Sequence, residues 1–217
     1  ERLLDIDNFI DYNMLNVYAN TGDWPHNNWR AARERVPGGK WRFIPWDAEW
    51  SFGNNGRNVT GNNLSSGPLA GGADIAVFYR ALQKNPEFRM RFADRVQIHY
   101  FNGGALTDEN VLRRFREMKE QMSGVLRNLN SSVQSTWVPR RREIVMSQMA
   151  SQKIQFSDNA PQFRQNGGAV PSGYLLDLNA PEGDIYYTMD GSDPRKPGAV
   201  AETGKTILAE NDEKWVF

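Results

Sequence analysis

Asp23, Asn28, Asp47 and Glu49 are the side chains whose types and spacing suit chemistry. A carboxylate at Asp23 can accept a proton from a hydroxyl group and so act as a general base. Asn28 adds a neutral carbonyl oxygen, and Asp47 a second carboxylate. Hard oxygen donors of this kind suit magnesium, which keeps several of its waters and completes its shell with phosphate oxygens. Glu49 stands two positions after Asp47 and, on an extended backbone, shares its face. It is a further metal ligand or a partner to one. On the same extended backbone Asn27 points away from the site.

These residues lie up to 26 positions apart, so something must bring them together. Two strand-like runs, 29–36 and 40–46, flank Pro37-Gly38-Gly39, which reads as the turn of a β-hairpin. One end of the hairpin then carries Asp23 and Asn28, and the adjacent end carries Asp47. Upstream, Ile6, Phe9, Ile10, Met14, Val17 and Tyr18 recur at helical spacing, with Asp5 as N-cap, and predict a helix that ends near Asn20–Gly22. That helix delivers the chain to Asp23.

Protein kinases place a catalytic Asp five residues before a metal-binding Asn and a second metal Asp at a later short loop. The interval from Asp23 to Asn28 is also five. The longer phrases are more specific: Gly-Asp-Trp-Pro-His-Asn-Asn-Trp at 22–29, then Trp-Arg-Phe-Ile-Pro-Trp-Asp-Ala-Glu-Trp-Ser-Phe-Gly at 41–53. Together they resemble the spore coat protein H (CotH) kinase family of atypical, secreted protein kinases, over roughly residues 1 to 155. The resemblance implies Asp23 as catalytic base, Asn28 and Asp47 as holders of Mg2+ and ATP, with Glu49 as a looser metal ligand. It implies phosphoryl transfer to hydroxyls of a secreted or cell-surface protein, and an extracellular or cell-surface location. Thr21 replaces the His usual in the general kinase motif. No segment reads as a five-stranded N-terminal lobe with its phosphate-binding lysine. The chain, which opens at Glu1 and closes on what reads as an interrupted strand, is therefore expected to be a C-terminal lobe that binds nucleotide weakly by itself.

Beyond the hairpin, residues 54–73 are rich in Asn, Gly and Ser and predict a long exposed loop, where a kinase has its activation segment. Asn58-Val59-Thr60 also fits a glycosylation acceptor. Helical periodicity resumes from Asp74 through Tyr100, broken at Asn85-Pro86 and stopped at Asn102-Gly103-Gly104. Thr107 is placed to cap a long amphipathic helix running through Leu129, with Met118 and Met122 as core filler. Pro139 suits the first turn of a last helix, where Arg140-Arg141-Arg142 reads as a solvated face. Trp24, Trp29, Trp41, Trp46 and Trp50 are expected to wall the core around the site.

After Lys153 the periodicity shifts to two, with strands expected at 174–178 and 185–189. The phrase Gly-Asp-Ile-Tyr-Tyr-Thr-Met-Asp-Gly-Ser-Asp-Pro at 183–194 resembles the immunoglobulin-like module at the C-termini of chitobiases, which implies a possible carbohydrate partner. The fold class is thus α+β. A mainly helical kinase-like lobe with a catalytic hairpin spans 1–153, and a small β-sandwich-like module spans 154–217. The 217 residues hold 26 basic and 26 acidic side chains, no cysteine and two histidines. That balance provides no global field for nucleic acid, and disulfides, thiolate chemistry and cysteine-ligated zinc are excluded. No apolar run is long enough to span a membrane. The alternatives left open are a carbohydrate-active hydrolase using Asp47 and Glu49, and a non-catalytic glycan-binding surface protein.

Overall fold

The computed structural model describes residues 3–64, 68–126, 130–152, 154, 160–166, 168–190 and 192–195, and the backbone of 201–202 and 205–206. Its first helix, α1 (Ile6–Ala19), is also its centre. Asp5 caps it by accepting from the Asn8 amide at 3.0 Å. Phe9, Ile10, Met14, Val17 and Tyr18 are fully buried, and Tyr12, Asn13, Asn16 and Ala19 nearly so, because other elements cover α1 on several sides. Asn13 and Asn16 tolerate this burial by donating to the carbonyls of Phe9 and Tyr12, at 2.7 and 2.8 Å.

Strands β1 (Trp29–Ala32) and β2 (Arg42–Pro45) pair antiparallel with Trp29 opposite Pro45 and Ala31 opposite Phe43. The ladder is shorter than the runs 29–36 and 40–46 suggest. Residues between the strands form a wider connection that closes only at its tip, where the Gly39 amide bonds Val36 and Gly38 adopts φ +79°. Phe43 turns inward against Phe9, with ring centroids 5.0 Å apart. The Asn8 carboxamide holds both backbone groups of Phe43, accepting from its N–H at 2.6 Å and donating to its carbonyl at 3.2 Å. The hairpin is thus bolted to the N-terminal half of α1.

Helices α2 (Asp74–Gln83), α3 (Pro86–Tyr100), α4 (Asp108–Met122) and α5 (Val138–Ser151) complete the core, with α1 packing directly on α3 and α5. Asn85 caps α3 by accepting from the Glu87 amide at 2.9 Å. Two expectations for α4 need correction. The helix stops at Met122, none of its residues is fully buried, and Met118 is 56% exposed, so its methionines are not core filler. Thr107 does stand at the N-cap position, but its side chain makes no capping bond and its hydroxyl donates to the Gly104 carbonyl at 2.8 Å instead. Leu129 lies outside the described residues.

Along α1 and α3, side chains four residues apart meet their opposites. Arg91 forks onto Asp7 at 2.6 and 3.1 Å, while Arg95 and His99 both reach Asp11, the histidine at 3.0 Å. The Arg91 hydrogen bond holds the Asp7 carboxyl below its usual range. At Asp11 burial pushes upward, but the bonds from His99 and Arg95 outweigh it and the net direction is down. Depressed carboxyl values mean stability that is present above the unfolded value near 3.8 and lost as pH falls through the folded value. Asp11→Asn should therefore cost roughly 1 kcal/mol at neutral pH, discounted for partial exposure. Chemical denaturation at descending pH checks this: the gap between variant and parent should begin to shrink near pH 3.8 and close as pH falls further, through the folded value, and a constant gap would contradict it.

The C-terminal part differs most from expectation. Strands β3 (Gln162–Phe163) and β4 (Leu178–Asn179) pair, as do β5 (Ala201–Glu202) and β6 (Lys205–Thr206), each only two residues long. No ladder runs through 174–177 or 185–189, and among the described residues these short pairs do not form a sandwich. This part also leans on the helices: Arg195 bonds Asp193 and reaches Glu87 on α3 at 2.9 Å. Of the described residues, no helix is long and apolar enough to cross a membrane.

Candidate active site

The C-terminus of α1 and the open end of the hairpin meet at one place. Asn20 takes a left-handed conformation and ends the helix. Beyond it the Gly22 amide bonds the Trp50 carbonyl at 2.7 Å, and the Phe52 amide bonds that of Ala19 at 2.9 Å. Asn28 then donates from Nδ2 to the Asp47 carbonyl at 3.1 Å. The arms 20–28 and 47–52 are thus tied to each other at both ends, and Asp23, Asn28 and Asp47 belong to one cluster of loops.

Asp23, Asn28 and Asp47 all have positive φ, at 54°, 53° and 51°. Asn and Asp are the non-glycine residues that tolerate this region best, and such backbone concentrates at functional sites. The same geometry corrects two expectations built on extended backbone. Asn27 does not point elsewhere, since its Nδ2 reaches the Asp23 carboxylate at 3.3 Å. Asp47 is not extended, so Glu49 does not share its face by strand alternation. Glu49 is exposed, and its carbonyl accepts from Asn54 at 2.8 Å.

Asp23 has a further partner: His26 Nε2 lies 2.7 Å from Asp23 Oδ1, with both side chains more than a third exposed. Two carboxylate oxygens offer about four acceptor positions, so a substrate hydroxyl can still be accepted beside the His26 and Asn27 bonds. Tryptophans frame the site unevenly. Trp24 is fully buried and donates to the Tyr12 hydroxyl at 2.6 Å. Trp41, Trp46 and Trp50 are instead 43, 52 and 42% exposed, contrary to the expectation that they wall the core.

What holds the loops is a buried polar network that the sequence reading missed. Arg141, expected on a solvated face, has no exposed surface. Its guanidinium donates to the carbonyls of Val17 and Tyr18 at the end of α1, and to those of Val59 and Gly61, the Tyr18 and Gly61 bonds measuring 2.8 Å. Burial lowers its pKa to about 10, which still leaves it charged at neutral pH. Arg57 adds bonds to the Asn20 carbonyl and side chain at 2.8 and 2.9 Å. Asn63 donates to the carbonyls of Asn16 and Thr21, at 3.4 and 3.2 Å.

Because Arg141 and the Asn20 carboxamide take up its Val59, Gly61 and Asn58 carbonyls, the segment expected to be an exposed loop is partly interior. Val59, Asn63, Leu64 and Leu69 are all buried. A side chain at Gly61 would displace the Asn20 carboxamide, since a Cβ there would stand 2.1 Å from it. A signal for Arg141 did exist in the sequence. Val138, Arg141, Val145 and Met149 are spaced three and four apart, so the arginine lies on the buried stripe of α5.

Among the described residues, no three His, Cys, Asp or Glu side chains cluster tightly enough to hold a metal by themselves. Asn28 and Asp47, tied through the Asp47 backbone carbonyl, each carry a hard side-chain oxygen, a donor set that fits magnesium only when phosphates and water complete the shell. A family model described as CotH kinase protein matches residues 1–162, across the expected boundary at 153. No curated protein and no solved structure gives a match. With 162 of its 217 residues matched, this chain belongs to the CotH kinase protein family.

Proposed function

We propose that this protein transfers the γ-phosphoryl group of ATP, with Mg2+, to hydroxyl groups of secreted or cell-surface proteins, and that it works outside the cytoplasm. The observation that carries the reading is the bond from Asn28 Nδ2 to the Asp47 backbone carbonyl, which ties two residues 19 positions apart to each other beside the Asp23 loop. Asp23 accepts the proton of the acceptor hydroxyl and orients its oxygen for attack. His26 and Asn27 fix the Asp23 carboxylate from one side. Asn28 Oδ1 and the Asp47 carboxylate would hold the metal, with Glu49 in the same loop as a further ligand or a partner to one. The metal, when bound, neutralises charge on the phosphates.

The full-length protein is the material for the test. With γ-labelled ATP, magnesium and a mixture of extracellular proteins it should label protein, and chelation of magnesium or Asp47→Ala should abolish labelling. Undiminished labelling by Asp47→Ala would remove the metal role. The described residues contain only two-stranded sheets and no five-stranded lobe. Residues 1–217 by themselves are therefore expected to bind Mg-ATP more weakly than micromolar, which calorimetry measures.

The exposure of Trp50 beside the site favours a second reading, in which the rim stacks a glycan. Glycan binding that is indifferent to ATP and lost in Trp50→Ala would support it.

A further inference from the structure

Charge is distributed unevenly along a chain whose overall balance is zero. Between Trp29 and Trp46 the hairpin carries Arg30, Arg33, Arg35, Lys40 and Arg42 against the single carboxylate of Glu34, and all six are exposed. Only Arg42, among the described residues, has an acidic partner outside the hairpin, Asp5 at 3.3 Å. Among the described residues no ion pair engages Arg33, Arg35 or Lys40. An open groove of about 620 Å3 runs along the hairpin beside Asn8 of α1, with Arg33, Lys40 and Arg42 in its lining and Glu34 as its one carboxylate.

Two of the arginines are held in place. Arg30 stacks on Trp46 at 4.9 Å and Arg33 on Trp41 at 5.8 Å, which covers faces of both indoles and limits the freedom of both guanidiniums. Forks already ordered lose less entropy when they take up carboxylates. Base stacking, the usual use of tryptophan beside arginine in single-strand nucleic-acid binding, would have to displace those contacts.

We propose that this basic face of the hairpin docks an acidic segment of the protein whose hydroxyl is phosphorylated. The substrate part of the proposal rests on the kinase reading above. At about 3.3 Å per residue, Arg30 and Arg33 stand roughly 7 and 17 Å beyond Asn28. An extended substrate covers those distances in two to five residues, so the acidic positions lie that far to one side of the acceptor Ser or Thr. Carboxylates there bridge to Arg33, Lys40 and Arg30 while the hydroxyl reaches Asp23.

Fluorescence anisotropy with the full-length protein tests the surface without nucleotide. The probes are serine peptides of equal length with glutamate, glutamine or lysine at the flanking positions, and an oligouridylate of matched charge. The glutamate peptide should bind at least about tenfold tighter than the glutamine peptide, and less tightly as salt is raised. Arg33→Glu combined with Lys40→Glu should cost about tenfold or more, whereas Lys119→Glu on α4 should change nothing. Both altered residues are exposed, and circular dichroism verifies that the variant folds. Equal binding of glutamate and glutamine peptides, no effect of the double variant, or tighter binding of the oligouridylate would overturn the proposal. The kinase reading fails separately: acidic-peptide binding without phosphoryl transfer would leave the docking surface and remove its substrate role, while transfer at equal rates to both peptides would remove the surface alone.

Discussion

Asp23→Asn is expected to lower phosphoryl transfer by about 10²–10⁴-fold, the range for losing a positioned general base. Asparagine is the informative replacement because it keeps the side chain's shape and tolerates the left-handed backbone at φ 54°, so the loop need not move. Only the basic oxygen is lost. The partners of Asp23 are the exposed His26 and Asn27, and removing contacts of this kind changes stability by less than about 1 kcal/mol. Steady-state rates and a thermal melt on the same preparation separate the two effects. An unchanged melt with a collapsed rate fits the base role. A variant as fast as its parent would show that the proton goes elsewhere.

Arg141→Met should have the opposite profile, a stability loss of about 3 kcal/mol or more that inactivates by unfolding or loosening the site. Methionine fills much of the space but donates nothing, and the carbonyls of Val17, Tyr18, Val59 and Gly61 lose their cationic donor. Relief of the buried charge works in the other direction, since burial already lowers the guanidinium pKa to about 10. The unpaired carbonyls outweigh it, because Tyr18 and Val59 lie in the interior where no water replaces the donor. Arg141→Lys should restore only part of the loss, as an ammonium cannot span four acceptors with the planar fork of a guanidinium. Urea unfolding of the three proteins gives the ranking. Equal stability of parent and Arg141→Met would mean that the network contributes little.

Much of the N-terminal architecture is legible from local pattern. The helix from Ile6 and its Asp5 cap, the hairpin about Pro37-Gly38-Gly39, the Asn85-Pro86 break and the Pro139 start all appear where sequence places them. Each depends on neighbours within a few residues: a cap needs an amide three positions on, and a turn needs a glycine. The end of α4 is less legible, because a stripe at helical spacing continues past Met122 although the helix does not. Of the strand expected at 174–178 only the end at Leu178 is paired, and 185–189 has no ladder, for a related reason: alternation describes one strand, whereas a ladder needs a partner that the pattern does not name.

The candidate site divides in the same way. The types and the grouping of Asp23, Asn28 and Asp47 follow from the sequence, because a hairpin dictates which ends lie together. How their neighbours point does not follow. Left-handed backbone at all three positions turns Asn27 toward Asp23 and removes the alternation that was to align Glu49 with Asp47. The exposure of Trp41, Trp46 and Trp50 is likewise a tertiary outcome, set by what does or does not cover the hairpin.

By itself the sequence determines the helix that leads to the site, the hairpin that closes it and the family to which both belong. Only the tertiary structure decides that Arg141, the middle of three arginines, is interior and holds the end of α1 against the 57–61 segment. Its periodicity marks the buried stripe of α5, but its acceptors lie between 80 and 124 positions away. Those acceptors are backbone carbonyls, which every residue has, and chain packing alone selects the four that meet the guanidinium.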